Sequence, residues 1–103
     1  MILRLVDLDA TFLERIGRTI VYRDGLAGAN GIRFCCPACS VADPYVKAHP
    51  VTIWLANRGV PDDAAPLPHG EFRGDGVHNL TICTAIETPG WRGRIVNGCA
   101  SIL

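Results

Sequence analysis

The chain has 103 residues with ten basic and ten acidic side chains, so its net charge of zero offers no overall field to steer nucleic acid or an anionic membrane toward it. An apolar fraction of 49% argues against disorder, and the length supports one core and one domain over residues 1–103. No run approaches the roughly twenty apolar residues of a membrane span, and Met1 to Asp7 lacks the long apolar core and cleavage site of a signal peptide, so a soluble intracellular protein is expected. Five cysteines is an odd number, and three crowd into positions 35–39, which fits a reducing compartment with metal or free thiols better than a disulfide framework.

Residues 2–6 read as a short strand or apolar lead-in. Asp9 is placed to cap a short helix over 10–17, where Ala10, Leu13 and Ile16 or Gly17 recur at helical spacing and Glu14 and Arg15 turn outward. Thr19-Ile20-Val21-Tyr22 is β-branched and aromatic, predicting a strand that ends in a turn at Arg23-Asp24-Gly25. The glycines of 25–31 open no helical pattern and precede no Gly-Lys-Ser/Thr, so they form no phosphate loop. Gly31-Ile32-Arg33-Phe34-Cys35 alternates as a strand and delivers the chain to Cys36-Pro37-Ala38-Cys39.

The prolines of Ser40 to Pro50 predict a loop with no helix over Ser40 to Pro44. Val51 to Leu55 is the strongest strand pattern, expected at the centre of a sheet with Trp54 in the core. Ala56 to Gly76, with three prolines and four glycines, reads as a long loop of the kind that carries function or moves. Asn79 to Ile86 predicts a strand, Pro89-Gly90 a turn, and Gly93 to Val96 with Cys99 to Ile102 a hairpin about Asn97-Gly98, the dipeptide suited to a two-residue turn. The pattern describes a β-rich α+β domain with a short N-terminal helix and an antiparallel sheet ending in an Asn-Gly hairpin.

The chemistry concentrates at Cys36-Pro37-Ala38-Cys39. Two thiolates two residues apart can hold one tetrahedral ion from a single turn, and structural zinc takes four such ligands, commonly as two pairs. The second pair must come from Cys35, His49, His69, His78, Cys83 and Cys99, none of which forms a second close pair. His49 is the best third ligand, since ten residues of loop can return it to the corner. Cys35 points to the opposite strand face from Cys36 and is expected as the core thiol. The alternative is a tight turn with two free thiols. Thiol–disulfide exchange would need the pair at a helix N-terminus. No Gly-x-Ser-x-Gly elbow is present, and Asp62, Asp63, Glu71 and Asp75 match no ion loop. Arg73, Trp91, Arg92 and Arg94 offer a small basic and aromatic surface for nucleic acid or an acidic partner.

Phe34 to Cys39, His49 to Trp54, Gly59 to Asp63, Leu80 to Ile82 and Gly90-Trp91-Arg92-Gly93 through Asn97-Gly98 together resemble a family of small phage and prophage proteins of unknown function. In that family a later Cys/His pair completes a zinc site with the Cys-Pro-x-Cys pair. This chain has Arg92 where the family's His would fall and no Cys over 89–91, and arginine does not ligate zinc. The resemblance therefore implies either a zinc site rebuilt as Cys36, Cys39, His49 and Cys83 or Cys99, or a corner held by packing alone. The family supplies no known activity to carry over; the lack of a catalytic constellation and the long loop over 56–76 instead lead to the expectation of a protein-interaction module of phage or mobile-element type in the cytoplasm of a bacterial host, an inhibitor of a host (defence) protein or a phage assembly component. A zinc-ribbon-like nucleic-acid binder, and a metal- or thiol-dependent enzyme, are the alternatives.

Overall fold

The computed structural model describes residues 2–42, 49–55, 69–88 and 90–102. Strand β1 (Ile2–Arg4) leads into a 3-10 helix (Leu5–Leu8), followed by β2 (Thr11–Ile16), β3 (Thr19–Arg23), β4 (Gly31–Cys35) and the helix α1 (Pro37–Ala42). Then come β5 (Pro50–Leu55), β6 (His69–Gly70), β7 (Phe72–Arg73), a second 3-10 helix (Val77–Asn79), β8 (Thr81–Ile82), β9 (Ile86–Thr88), β10 (Trp91–Val96) and β11 (Cys99–Ile102). One sheet runs β1-β11-β10-β9, a second runs β3-β2-β4-β5-β6, and β7 pairs with β8. All pairings are antiparallel except β5 with β6, where Trp54 lies opposite His69. No helix among the described residues is long and apolar enough to cross a membrane.

The two larger sheets share one core. Phe12, Ile32, Phe34, Val51, Ile53 and Leu55 come to it from the second sheet, and Ile86, Trp91, Ile95 and Ala100 from the first. Phe34 and Trp91 meet edge to face with centroids 5.7 Å apart at 86°, a favoured aromatic geometry across the sheet interface. On the opposite face of the second sheet Leu13 and Trp54 bury each other over Gly31, where an added Cβ would stand 2.8 Å from the Trp54 ring.

The helix expected over 10–17 is a strand. Phe12 and Leu13 are adjacent and both buried, one in the main core and one against Trp54; a strand sends successive side chains to opposite faces, whereas a helix would crowd them onto one side. Ile16, a member of the supposed helical stripe, is 57% exposed. Asp9 starts no helix here; it is the C-cap of the first 3-10 helix, at φ +53°. Gly17, at φ +61°, supplies the positive angle for a two-residue link that sets Ile16 opposite Thr19.

Two other expectations change. Residues 37–42 are helical, contrary to the loop read from Ser40 onward, because Cys36 and Pro37 open a turn whose next amide, Ser40 N–H, donates to Cys36 O at 3.0 Å. Strand β5 is interior to its sheet as expected, paired with β4 on one side and with the short edge strand β6 on the other. The strand expected over 79–86 is split into β8 and β9, and the long loop expected over 56–76 carries β6 and β7 in its described part; 56–68 lie outside the described residues.

Asn97 (φ +49°) and Gly98 (φ +78°) connect β10 to β11, with Val96 opposite Cys99. The connection is pinned from three sides. Asn97 N–H donates to Thr81 Oγ1 at 2.9 Å, Gly98 N–H to Leu80 O at 2.7 Å, and Gly98 O accepts from Leu5 N–H at 2.9 Å.

Candidate metal centre

The site grows out of the β4–β5 register. Phe34 faces Val51 and Cys35 faces Pro50, so the next pair in the antiparallel ladder is Cys36 with His49, and Cys36 N–H donates to His49 O at 2.9 Å. Pro37 then starts α1, where its missing N–H costs nothing. One turn along, Cys39 faces the same point as Cys36. Ser40 Oγ also donates to Cys36 O at 2.9 Å and holds the first turn closed.

The result is three donors from three backbone segments. Cys36 Sγ, Cys39 Sγ and a ring nitrogen of His49 all lie within 4.8 Å of one another, and Cys39 Sγ stands 3.2 Å from His49 Nδ1. Two thiolates and an imidazole are the donor set that suits zinc. A tetrahedral ion with Zn–S about 2.3 Å and Zn–N about 2.0 Å would set a sulfur and a nitrogen about 3.5 Å apart, so the Cys39–His49 pair needs to open only slightly. Cys36 is fully buried, Cys39 half-buried and His49 exposed, so the cluster opens to solvent on its histidine side.

Burial pushes the Cys36 thiol above its ordinary range, and the neighbouring Cys39 adds to the rise through its side chain while its backbone amide opposes it. A CxxC pair at the start of a helix is the arrangement used for thiol exchange, but there the attacking thiol is exposed and has a lowered pKa. Cys36 has neither property.

Gly90, at φ +91°, turns the chain from β9 into β10 directly over the histidine; a Cβ at this position would lie 3.4 Å from His49 Cε1 and 4.0 Å from Nε2.

Cys83, expected as a ligand, is not part of the cluster. It is exposed beyond β8, where its amide donates to Glu71 O at 2.8 Å. None of the five cysteines forms a disulfide. The core thiol is Cys36, and Cys35 is only half-buried, the reverse of the expectation, because alternation along β4 puts Cys36 on the face of the buried Ile32 and Phe34 and Cys35 on the opposite face. Asp75 accepts from Asn79 Nδ2 at 2.7 Å, a local link around the second 3-10 helix; Asp62 and Asp63 lie outside the described residues.

The expected basic and aromatic surface is divided by strand alternation. Trp91 is 3% exposed, faces the core and donates its indole N–H to Ser101 O at 3.1 Å. Arg92 and Arg94 project from the opposite face of β10, Arg92 pairing with Glu87 at 2.9 Å, while Arg73 is exposed on β7 in a different sheet.

Comparison with protein-family models, with characterised proteins and with solved structures returned no match. The sequence reading missed the link between Cys36 and His49 being a matter of strand register. That register is set by tertiary pairing and not by any local pattern: with the ladder running through Cys35 and Pro50, residues whose numbers sum to 85 face each other, and 36 with 49 is the next such pair.

Proposed function

We propose that Cys36, Cys39 and His49 hold a zinc ion that clasps the end of β4, the helix α1 and the start of β5, and that the clasped domain acts by binding a protein partner, not by catalysis. The convergence of three soft donors within 4.8 Å carries this reading. Zinc bound there supplies cross-linking of backbone segments, and the chain's own groups do the rest: Cys36 N–H fixes His49 through its carbonyl, and Ser40 holds the turn that presents Cys39. With the chain read as of phage or mobile-element type, the partner we propose is a host protein to be blocked or a component of phage assembly.

Binding in place of catalysis is supported by the apolar side chains left on outer surfaces, among them Ile2, Val6, Ile20, Tyr22 and Val96, each at least 48% exposed. The nucleic-acid reading loses support from the inward-facing Trp91 and the ion-paired Arg92. A thiol enzyme remains the second reading because Cys39 and His49 stand at 3.2 Å, the spacing of a thiolate–imidazolium pair.

Alkylation of the purified protein separates the two. Under the zinc reading Cys39 is protected until a chelator is added and then reacts, while Cys36, fully buried, reacts only once the chain unfolds. Rapid alkylation of Cys39 without chelator, with a rate that falls in His49→Ala, would favour the thiol dyad and overturn the metal reading.

A further inference from the structure

Among the described residues, strand β3 is an open sheet edge. It pairs with β2 on one side and is the terminal strand of the five-stranded sheet on the other. Among the sheet edges it is the longest at five residues, against three in β1, three in β9 and two in β6. Thr19-Ile20-Val21-Tyr22-Arg23 contains no proline and no lysine, the usual devices that keep an edge from pairing with another chain. Ile20 is 48% and Tyr22 55% exposed.

We propose that β3 pairs antiparallel with β3 of a second copy of this chain, about a two-fold axis through Val21. The sequence of the strand is self-complementary in that register. Residues whose numbers sum to 42 face each other, so Ile20 meets Tyr22 of the other copy twice, an aromatic to β-branched pair on one face, and Val21 meets itself on the other. At the two ends Arg18 meets Asp24 of the other copy. Both are exposed, and neither has a partner among the described residues. A slip of one residue toward the N-terminus would set Arg18 against Arg23, and a slip the other way would set Ile20 against Arg23; either slip also exchanges the faces of every side chain. Charge complementarity therefore selects one register. Zero net charge leaves no repulsion between copies to oppose it. The pairing joins two five-stranded sheets into one, with the metal cluster in neither contact strand.

Sedimentation equilibrium tests this over a range of protein concentrations. Wild type is expected to be a dimer in reversible equilibrium with monomer. Val21→Lys sets two lysines against each other at the axis, each lysine lying cross-strand from its own chain's Glu14, which already pairs with Arg23, so it is expected to be folded and monomeric. Arg18→Asp and Asp24→Arg are each expected to weaken the dimer about tenfold or more, since each places like charges at both ends. The double variant Arg18→Asp with Asp24→Arg is expected to return to the wild-type constant. Circular dichroism checks the fold of each variant. A wild type that stays monomeric at millimolar concentration, a dimer unaffected by Val21→Lys, or a double variant no tighter than the single ones would overturn the proposal.

Discussion

Cys36 is subject to opposing demands. Burial favours its neutral thiol, whereas a metal requires the thiolate. In metal-free protein the folded chain therefore holds the proton more tightly than the unfolded chain. The resulting stability is fully present below the ordinary thiol pKa of about 8.5 and is lost as pH rises through the raised folded value. Urea unfolding in chelator between pH 7 and pH 10 should show a stability decline in wild type that is smaller in Cys36→Ala; equal slopes would contradict it. Asn30 is a second residue whose role is local and strict. It is 5% exposed, its Oδ1 accepts from Arg15 N–H at 2.9 Å and its Nδ2 donates to Arg15 O at 3.2 Å, so one carboxamide satisfies both backbone groups of a strand residue beyond the end of the β2–β4 ladder. Asn30→Ala should lower unfolding free energy by about 1–3 kcal/mol. Asn30→Asp should do at least as much harm, since a carboxylate cannot donate to Arg15 O. Denaturant midpoints decide both, and an Asn30→Asp midpoint equal to wild type would refute this role.

At the scale of elements, the strand β10 shows why Trp91 and Gly93 act together. The indole of Trp91 crosses Gly93 to reach Ser101 O, and a Cβ at position 93 would stand 2.8 Å from Trp91 Nε1 and against the Ser101 backbone. Gly93→Ala should cost about 1–3 kcal/mol by overpacking and shift the tryptophan emission, as a displaced indole loses its hydrogen bond; a variant with wild-type stability and emission would show that the sheet yields freely. Elements were legible where one face or one composition dominated. Gly31 to Cys35 and Val51 to Leu55 are dense in β-branched, aromatic and apolar residues and stand as β4 and β5. Residues 10–17 misled because Ala10, Leu13 and Ile16 fall at helical spacing by coincidence, and only tertiary pairing with β3 and β4 decides in favour of a strand. Helix α1 is six residues long, too short for periodicity to register, and its prolines downstream suggested loop. Of the site, the Cys36–Cys39 pair was visible as a motif and His49 as its best third ligand. The exclusion of Cys83 was not visible, since it depends on how β7 and β8 sit relative to the corner, which no local pattern encodes.

Across the whole molecule, two sheets close on one core, and the cluster lies where the strands of one sheet give way to α1 while the β9–β10 turn of the other packs over its histidine. A metal there would join segments 36–39 and 49 in the folded chain and have no comparable site in the unfolded one, so binding free energy becomes folding free energy. Excess chelator should therefore lower the midpoint of thermal unfolding, and added zinc should restore it. An unchanged midpoint would show that packing alone secures this end of the domain. The most direct measurement is the zinc content of protein purified without chelator, by elemental mass spectrometry, on wild type and on Cys36→Ser, His49→Ala and Cys83→Ser. The cluster predicts one zinc per chain in wild type and in Cys83→Ser, and loss of that zinc in Cys36→Ser and His49→Ala. A wild type without zinc, or a Cys36→Ser protein that keeps it, would contradict the account.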